Sequence, residues 1–256
     1  MIENFSIKMK QMPSAINVPF IRPFYIAQTP VTYESWMQIY SWASINGYTF
    51  ENQGNIGSNN SGDIKQPVTA LNWRDAVVAC NAMTEYYNSI NNANLKCVYQ
   101  LENKIIRDSR NSNSYACSNI ITNLDADGFR LPTSKEWELA ARYINEETLT
   151  PEDYASGAGN GYQDKEATMK VAWYEDNSKG TTQAVGLLAP NSLGLYDMAG
   201  NVWEWCQDTY GVSHRIARGG SCYDIAFVLQ SSFFISCDPD YAHNSFGFRP
   251  IRTNII

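Results

Sequence analysis

Two short motifs, RGGS at 218–221 and GFR at 247–249, enclose a stretch of the chain that follows no secondary-structure period. An amphipathic helix repeats its apolar residues every three to four positions, and a half-buried strand alternates them. Between the two motifs, small or apolar residues are instead interleaved with Tyr, Asp, Ile, Val, His and Asn. Recognition residues concentrate on loops that a rigid scaffold holds in place. The pattern therefore predicts a surface that displays side chains, on a fold that accommodates long irregular segments.

The composition agrees with an irregular fold and excludes two classes of partner. Aromatic residues make up 13% of the 256 residues, with 7 Trp and 16 Tyr, which is typical of folds in which rings fill gaps between loops. The formal net charge is -7, and no cluster of Lys or Arg occurs. Because positive charge drives binding to phosphate backbones and anionic membranes, we expect neither a nucleic acid nor an anionic membrane surface as a partner. No apolar run reaches the roughly 18 residues of a membrane span, and the first residues do not resemble a signal peptide.

The six cysteines show no metal-binding or redox spacing. They stand at Cys80, Cys97, Cys117, Cys206, Cys222 and Cys237. The sequence contains no C-x-x-C pair and no histidine at the spacing of a zinc site. A disulfide framework is uncommon in a chain of this length. We therefore expect buried thiols, with one disulfide bridge as the open alternative.

Three segments carry the signals of a helix start. Thr32, Asn72 and Thr133 each precede apolar residues at helical spacing, and each side chain can accept a hydrogen bond from the first turn. Glu136 lies three residues after Thr133, which is the spacing of a capping box. The sequence therefore predicts three amphipathic helices that each bury one face.

The remaining segments of the sequence predict short strands and long loops. Residues 24–27 and 97–101 carry strand signals, whereas 151–180 is rich in Gly, Asn and acidic residues and is predicted to be irregular. No internal repeat and no linker divides the sequence. We therefore expect a single domain over 1–256.

The string GLYDMAGNVWEW at 194–205 is the most distinctive in the chain. Its carboxylates, Asp197 and Glu204, are hard oxygen ligands at the flexible spacing that suits calcium. Glycines punctuate the string, and tight turns around buried tryptophans explain the same residues without a metal. The residues alone favour the turns and leave calcium as an open alternative.

Four motifs in this order resemble the formylglycine-generating enzyme family, also called sulfatase-modifying factors. They are GFRLPT at 128–133 with the EWE that follows, the GLYDMAGNVWEW string, RGGS and GFR. The resemblance implies an α+β protein with a C-type lectin-like fold, in which a twisted antiparallel sheet is combined with a few helices and extensive irregular loops. It also implies a calcium ion held by the side chains of Asp197 and Glu204 and by the main-chain oxygens of Gly200 and Val202.

The enzymes of this family oxidise a cysteine of their substrate with copper bound to two cysteines of their own, and soft thiolates suit that metal. Counted from Ser221, the matching positions hold Leu229 and Phe234, which cannot bind a metal. Cys222 and Cys237 are out of register. The two histidines of the chain have no carboxylate at the spacing of an iron site, and no nucleophile motif occurs. We therefore expect neither copper nor enzymatic activity.

A non-enzymatic branch of the resemblance fits the sequence better. The chain resembles the variable proteins of diversity-generating retroelements, of the Treponema type, which vary residues at the C-terminal end of this fold. In such systems the adenines of a template are randomised. An Asn codon therefore becomes a codon with two random bases followed by a fixed pyrimidine, and codons of this kind can encode every residue of the predicted set. The residues predicted to contact a ligand, within a variable region at 218–249, are Cys222, Tyr223, Asp224, Ile225, Val228, Ile235, Asp238, Asp240, Tyr241, His243 and Asn244. Phe227, Leu229, Phe233 and Phe234 are predicted to anchor the backbone.

Two alternatives remain open. In the first, Tyr223, Ile225, Val228 and Ile235 belong partly to the core, and the stretch is an unusual loop. In the second, the protein is a formylglycine-generating oxidase with a rearranged metal site that acts on a cysteine or serine of a target protein. The favoured prediction is a monomeric, calcium-supported binding protein whose partner is a protein or another cell-surface ligand. The resemblance further implies export to the cell surface as a lipoprotein, with a leader that the sequence does not include.

Overall fold

The computed structural model describes residues 7–13, 22–60, 62–123 and 125–253. The α-helices in these ranges are α1 (Tyr33–Ile45), α2 (Trp73–Asn91), α3 (Ser114–Ser118), α4 (Ser134–Arg142), α5 (Lys165–Met169) and α6 (Glu175–Ser178). The strands are β1 (Met9–Gln11), β2 (Phe24–Ala27), β3 (Asn55–Ile56), β4 (Val68–Thr69), β5 (Tyr99–Leu101), β6 (Lys104–Ile105), β7 (Ile121–Thr122), β8 (Phe129–Arg130), β9 (Tyr143–Asn145), β10 (Thr148–Leu149), β11 (Trp203–Tyr210), β12 (His214–Arg218), β13 (Phe234–Cys237), β14 (Phe246–Gly247) and β15 (Ile251–Thr253). Short strands and irregular connections dominate, as the sequence predicts.

Two four-stranded sheets form the β framework. In the first sheet the strand order is β1, β2, β15, β8, and all neighbours pair antiparallel. In the second the order is β13, β12, β11, β14, and β11 pairs antiparallel with β12 but parallel with β14. The remaining strands form small sheets of two or three strands. The α+β class with mainly antiparallel sheets and few helices, as predicted from the sequence, is confirmed.

All three predicted helix starts are confirmed. Thr32 Oγ1 accepts a hydrogen bond from the main-chain N–H of Ser35 at 3.1 Å. Asn72 accepts from the N–H of Asp75 at 2.9 Å, and the Asp75 carboxylate accepts from the N–H of Asn72 in return. Thr133 forms the predicted capping box at the start of α4. Each cap satisfies main-chain donors of the first turn that have no partner within the helix.

Buried tryptophans join the regular elements to one another and to the loops. Four of them, Trp36, Trp73, Trp137 and Trp205, are fully buried. The indole N–H of Trp73 donates to the carbonyl of Cys206 at 2.8 Å, and that of Trp205 donates to the carbonyl of Leu71 at 3.1 Å. A buried indole thus fills apolar volume and also satisfies a main-chain acceptor. This explains why a chain with such short elements is rich in aromatic residues.

The stretch 218–249 contains more regular structure than its sequence predicts. A single turn of 3-10 helix covers Ala226–Leu229, and β13 and β14 follow it. Strand β13 pairs with β12, with Phe234 opposite Arg218. The prediction that no element fits here was therefore wrong for these segments, because elements of two to four residues are too short to show a period. The predicted irregular segment 151–180 likewise contains α5 and α6.

The cysteines are unpaired thiols, and all lie at least partly buried in the fold. All six cysteines are free thiols, and all but the half-buried Cys237 are buried. The expectation of buried thiols is confirmed, and the alternative of a disulfide bridge is not. Within the described ranges, no helix combines the length and the apolar character that crossing a membrane requires. The single domain over 1–256 stays a prediction.

Candidate ligand-binding surface

One face of β11 carries a buried ion pair. The carboxylate of Glu204 accepts hydrogen bonds from Nε and Nη2 of Arg249, at 3.0 and 2.8 Å, and from the indole N–H of Trp137 at 2.6 Å. Both charged side chains are excluded from solvent. The guanidinium also donates to the carbonyls of Ala27 and Tyr196. Because a buried charge is tolerated when it is paired and hydrogen-bonded, this cluster ties β11, α4 and the GFR motif together.

The turn that leads into β11 requires a left-handed backbone. Asp197, Gly200 and Asn201 have φ angles of 54, 72 and 62°. A Cβ on Gly200 would stand 2.2 Å from the carbonyl oxygen of Trp173, so glycine is the one residue that fits there. The buried carboxylate of Asp197 accepts from the N–H of Gly186 at 2.8 Å and from Nδ2 of Asn201 at 3.3 Å. Burial raises the pKa of Asp197 to about 6.

The two carboxylates predicted to bind calcium differ in how well they fit an ion. The hydrogen bonds to Asp197 come from neutral amides, so a cation would balance its buried charge. The carboxylate of Glu204 is already paired with Arg249, which the sequence did not predict. Within the described ranges, no three side chains of His, Cys, Asp or Glu group together to hold a metal. An ion at this turn would therefore depend on the main-chain oxygens of Gly200 and Val202.

The RGGS motif fixes the base of the residues at 222–244, which we call the display stretch. The buried Arg218 donates to Oε2 of Glu138 at 2.9 Å and to the carbonyl of Ser232 at 2.8 Å, which holds the segment before β13 against α4. Gly220 has a φ of 74°, and a Cβ there would stand 2.5 Å from the side chain of Leu229. Leu229 is fully buried. The glycine thus leaves room for a leucine that packs beneath the display stretch.

Strands β11, β13 and β14 and the adjoining loops enclose an open hollow of about 530 Å³, which we call the display concavity. It is lined by Trp203, Ser221, Tyr223, Asp224, Ile235, Cys237, Tyr241, His243, Asn244, Ser245 and Phe246. Successive residues of a strand point to opposite faces. Trp203 therefore faces the display concavity, while its neighbour Glu204 faces the buried ion pair. The strand that backs the concavity is fixed from behind by buried hydrogen bonds.

Six of the eleven residues predicted to contact a ligand line the display concavity. They are Tyr223, Asp224, Ile235, Tyr241, His243 and Asn244. Tyr223 and Tyr241 expose 40% and 42% of their surfaces, so their rings are accessible to a partner. Ile225, Val228, Asp238 and Asp240 lie outside the lining, and Ile225 is 51% exposed. Contact of these ten residues with a ligand stays a prediction.

The prediction that Cys222 contacts a ligand was wrong. Its side chain is fully buried. Its N–H donates to the carbonyl of Asn201 at 3.0 Å, and its carbonyl accepts from the hydroxyl of Ser178 at 2.6 Å. Burial raises the pKa of the thiol to about 12. The residue after RGGS therefore turns inward, and the displayed side chains begin at Tyr223.

The four predicted anchors of the display stretch differ in their burial. Leu229 is fully buried, and Phe233 is partly buried against the main core. Phe227 and Phe234 expose 46% and 39% of their surfaces, so the prediction that they anchor the backbone was wrong. Each of these two rings packs edge-on against a tyrosine ring. They extend the accessible aromatic surface instead of supporting it from below.

Three predicted contact residues, all aspartates, also hold the backbone of the display stretch. The carboxylate of Asp224 accepts from the N–H and the hydroxyl of Ser221, at 2.8 and 2.5 Å. Asp240 forms an ion pair with Arg74, which is buried in the first turn of α2. Asp238 accepts from the N–H of Asp240 at 2.9 Å, and its side chain is exposed. These three carboxylates shape the loops, and the charge of Asp240 is balanced by Arg74.

Aromatic rings of the display stretch form one wall of the concavity. Tyr241 and His243 stack in parallel with their centroids 5.6 Å apart, and Tyr223 lies edge-on to His243 at 6.4 Å. Asn244 Nδ2 donates to the carbonyl of Ser58 at 2.8 Å and to the hydroxyl of Tyr223 at 3.3 Å. Its Oδ1 is buried and has no hydrogen-bond donor in the described part of the chain. The wall thus consists of ring faces, and it adjoins one unpaired acceptor that solvent does not reach.

Five lining residues were not among those predicted from the sequence. They are Trp203, Ser221, Cys237, Ser245 and Phe246. The alternation of side chains along β11 could have indicated Trp203, because a strand that points Glu204 to its buried face points the preceding side chain to the opposite face. The parallel pairing of β14 with β11 places Phe246 beside Trp203. That pairing joins residues distant in sequence, so no local pattern indicates it.

Comparisons with known proteins agree with this architecture. The profile of the sulfatase-modifying factor enzyme 1-like domain matches residues 4–254. The chaperone protein LppX of Paenibacillus barcinonensis is 29% identical over 252 residues, which is 90% of this chain and 80% of LppX. The crystal structure of CarF matches with a TM-score of 0.78 at 26% identity, over 98% of this chain and 100% of CarF. Treponema denticola variable protein 1 matches with a TM-score of 0.70 at 25% identity, over 96% and 95% of the two chains. The C-type lectin-like fold expected from the four motifs is confirmed.

Proposed function

The chain belongs to the family of sulfatase-modifying factor enzyme 1-like domains, and from that premise we propose that it is a non-enzymatic protein that binds a protein ligand through its display stretch. The display concavity is the observation that supports this most. Six residues singled out from the sequence line it, and two of them are accessible tyrosines. Tyrosine and tryptophan are enriched among the residues that dominate binding energy at protein interfaces.

The residues at the family's copper positions support binding over catalysis. Leu229 is packed beneath Gly220, and Phe234 is an exposed ring on β13. The nearby cysteines are poor substitutes, because the thiolate is the metal ligand. Burial raises the pKa of both thiols, to about 12 for Cys222 and to a lesser extent for the half-buried Cys237. A thiolate is therefore disfavoured at each of these cysteines.

The similar proteins support a protein ligand. They include a chaperone protein, LppX, and a variable protein of Treponema denticola. Likeness of fold by itself does not assign a function, so the proposal depends on the display concavity as well. We propose further that the protein acts outside the cytoplasm after export, as a lipid-anchored monomer at the cell surface.

A selection experiment tests the proposal. A displayed library of the full chain would be randomised at Tyr223, Ile225, Ile235, Tyr241 and His243 and selected against a globular protein such as lysozyme. We expect folded binders with dissociation constants at or below about 1 µM. A control library is randomised at exposed hairpin residues, namely Glu102, Asn103, Asn145, Glu146 and Glu147. Equal enrichment from the two libraries would contradict a specialised display surface.

The alternative function, an oxidase with a rearranged metal site, predicts a product that can be measured. The purified protein would be incubated with copper and a peptide that carries a sulfatase motif, and formylglycine would be followed by mass spectrometry. We expect no product above a heat-denatured control, while an active formylglycine-generating enzyme serves as the positive control. Product that is lost in Cys222→Ser or Cys237→Ser would overturn the binding proposal.

We also propose that calcium supports the scaffold at the turn before β11. Its ligands would be the side chains of Asp197 and Glu204 and the main-chain oxygens of Gly200 and Val202. The buried carboxylate of Asp197, whose hydrogen bonds come from neutral amides, supports this proposal. Glu204 would contribute while it remains paired with Arg249. Calcium at this turn would fix the entry into β11.

A further inference from the structure

The charged groups of the display concavity have one sign. Asp224 is the charged member of the lining, and no described lining residue is Lys or Arg. Asp238 and Asp240 stand on the loop that leads to Tyr241, and Asp238 is exposed. The whole chain has a net charge of -7. The surface therefore favours a partner group with positive charge, since complementary charges steer association and select the partner.

Basic residues close to the concavity do not cancel this preference. The guanidinium of Arg74 is buried and is paired with Asp240. Lys179 is exposed, and it precedes Gly180, where an added Cβ would stand 3.9 Å from the ring of Tyr223. Glu175 is also exposed there, and its N–H donates to the carbonyl of Asp224 at 3.1 Å. Lys179 and Glu175 are thus exposed residues of opposite charge on the same segment, and the described lining contains an aspartate and no basic Lys or Arg.

The rings of the wall provide faces for a planar cation. Tyr241 stacks on His243 at 5.6 Å and lies edge-on to Phe246 at 5.2 Å, so it is held between two neighbours while 42% of its surface stays exposed. Tyr223 offers a second exposed ring. A guanidinium over the face of a tyrosine is attracted by the ring quadrupole, and it stacks better than an ammonium does.

Asn244 adds a hydrogen-bond acceptor that lacks a donor. Its Nδ2 is committed to the carbonyl of Ser58, which can only accept, so the orientation of the amide is determined by this bond. Its Oδ1 is buried without a donor among the described residues. An unsatisfied buried acceptor carries a free-energy cost that a ligand with N–H groups can remove. Arginine presents five N–H donors and no acceptor.

We propose that the display concavity receives an arginine side chain of the protein partner. The guanidinium lies against the exposed ring of Tyr241, directs N–H groups towards Asn244, and is attracted by the carboxylates of Asp224 and Asp238. This inference rests on the proposed binding function and names the chemistry of its ligand. A lysine provides the charge without the planar stack, and a citrulline provides the planar shape without the charge.

Two matched peptides test the inference. Gly-Gly-Arg-Gly-Gly and Gly-Gly-Cit-Gly-Gly, in which citrulline replaces arginine, would be titrated into the full chain and followed by two-dimensional NMR. We expect the arginine peptide to shift the resonances of Tyr223, Tyr241 and Asn244, with a dissociation constant about tenfold lower than that of the citrulline peptide. Tenfold corresponds to about 1.4 kcal/mol, within the range of a cation over an aromatic ring.

Single substitutions locate the effect. Tyr241→Leu removes the ring and keeps an apolar side chain, and Asp238→Asn removes the charge and keeps the oxygen that accepts from Asp240. We expect each to weaken binding of the arginine peptide about fivefold, in keeping with an exposed cation–π contact and an exposed charge pair. Glu146→Gln, in the exposed β9–β10 hairpin, is the matched control and should leave the affinity unchanged.

Each outcome either supports or overturns the inference. Equal affinity of the two peptides would overturn it, and so would shifts confined to other surfaces. The absence of any shift at peptide concentrations near 10 mM would also overturn it, since that concentration corresponds to a binding free energy of about -2.7 kcal/mol. Binding that survives Tyr241→Leu and Asp238→Asn would also overturn it. The proposed binding function is tested separately, because the selected library would still yield binders at the display concavity. Failure of both experiments would remove the binding function itself.

Discussion

On one face of β11, Glu204 is surrounded by donors, and Arg249 and Trp137 together satisfy both of its carboxylate oxygens. On the other face, one residue earlier, Trp203 lines an open hollow in which two tyrosines are accessible and the Oδ1 of Asn244 has no donor among the described residues. The two regions share a strand and differ in almost every physical respect. The first is closed and paired, whereas the second is open and incompletely paired.

This difference indicates where the chain tolerates substitution. A change at the closed face leaves a buried charge without its partner, which is costly in a medium of low dielectric constant. A change at the open face removes a side chain that water already contacts, and the free energy of unfolding changes little. A protein that presents different side chains on one scaffold needs both regions. The predictions that follow compare them, in order of decreasing effect.

The largest effect is expected at the closed face. Glu204→Gln removes the charge that compensates Arg249, and we expect the free energy of unfolding to fall by about 3 to 5 kcal/mol. Urea unfolding of the purified variant measures this. Glu166→Gln, in the exposed pair with Lys170, is the control and should change stability by less than about 0.5 kcal/mol. Similar values for the two variants would mean that the buried pair does not hold the scaffold.

A smaller effect is expected for the leucine beneath the display stretch. Leu229→Ala leaves a cavity under Gly220, and we expect a loss of about 3 kcal/mol in the free energy of unfolding. Phe227→Ala, two residues before it in the same 3-10 turn, removes a larger but exposed ring and should cost less than about 1 kcal/mol. If Phe227→Ala cost more than Leu229→Ala in urea unfolding, the assignment of anchor and displayed residue would be reversed.

Removal of calcium is expected to have a comparable but concentration-dependent effect. An ion bound to the folded state stabilises it by about 2.7 kcal/mol when its concentration is a hundredfold above the dissociation constant. A chelator should therefore lower the melting temperature of the wild-type protein, as calorimetry would show. Asp197→Ala lacks the proposed ligand, so its melting temperature should not respond to the chelator. An unchanged wild-type melting temperature would count against calcium at this turn.

Features that depend on nearby residues were predicted well from the sequence. The caps at Thr32, Asn72 and Thr133 involve partners within three residues, and all three appear in the structure. The fold class followed from four motifs that resemble a known family. The open character of the display stretch followed from its lack of an apolar repeat, and it holds for Tyr223 and Tyr241.

Features that depend on distant residues could not be predicted in this way. Cys222 is buried because its backbone bonds to Ser178 and Asn201, which lie well before it in the sequence. The ion pair of Glu204 with Arg249 spans 45 positions. Glu204, which the sequence predicts as a calcium ligand, is therefore already paired with a guanidinium. In a segment of single turns and four-residue strands, neither helix nor strand spacing is sustained long enough to indicate which side chains face inward.

The most direct test of the difference between the closed and the open regions is one measurement of unfolding. A single variant would carry five serine substitutions at exposed positions of the display stretch, namely Tyr223→Ser, Ile225→Ser, Phe227→Ser, Asp238→Ser and Tyr241→Ser. We predict that urea unfolding shows a loss below about 2 kcal/mol in total, with an unchanged m value, because each of these side chains is exposed in the folded state. A loss as large as that of Glu204→Gln, or a reduced m value, would show that the open face belongs to the scaffold and would contradict the account.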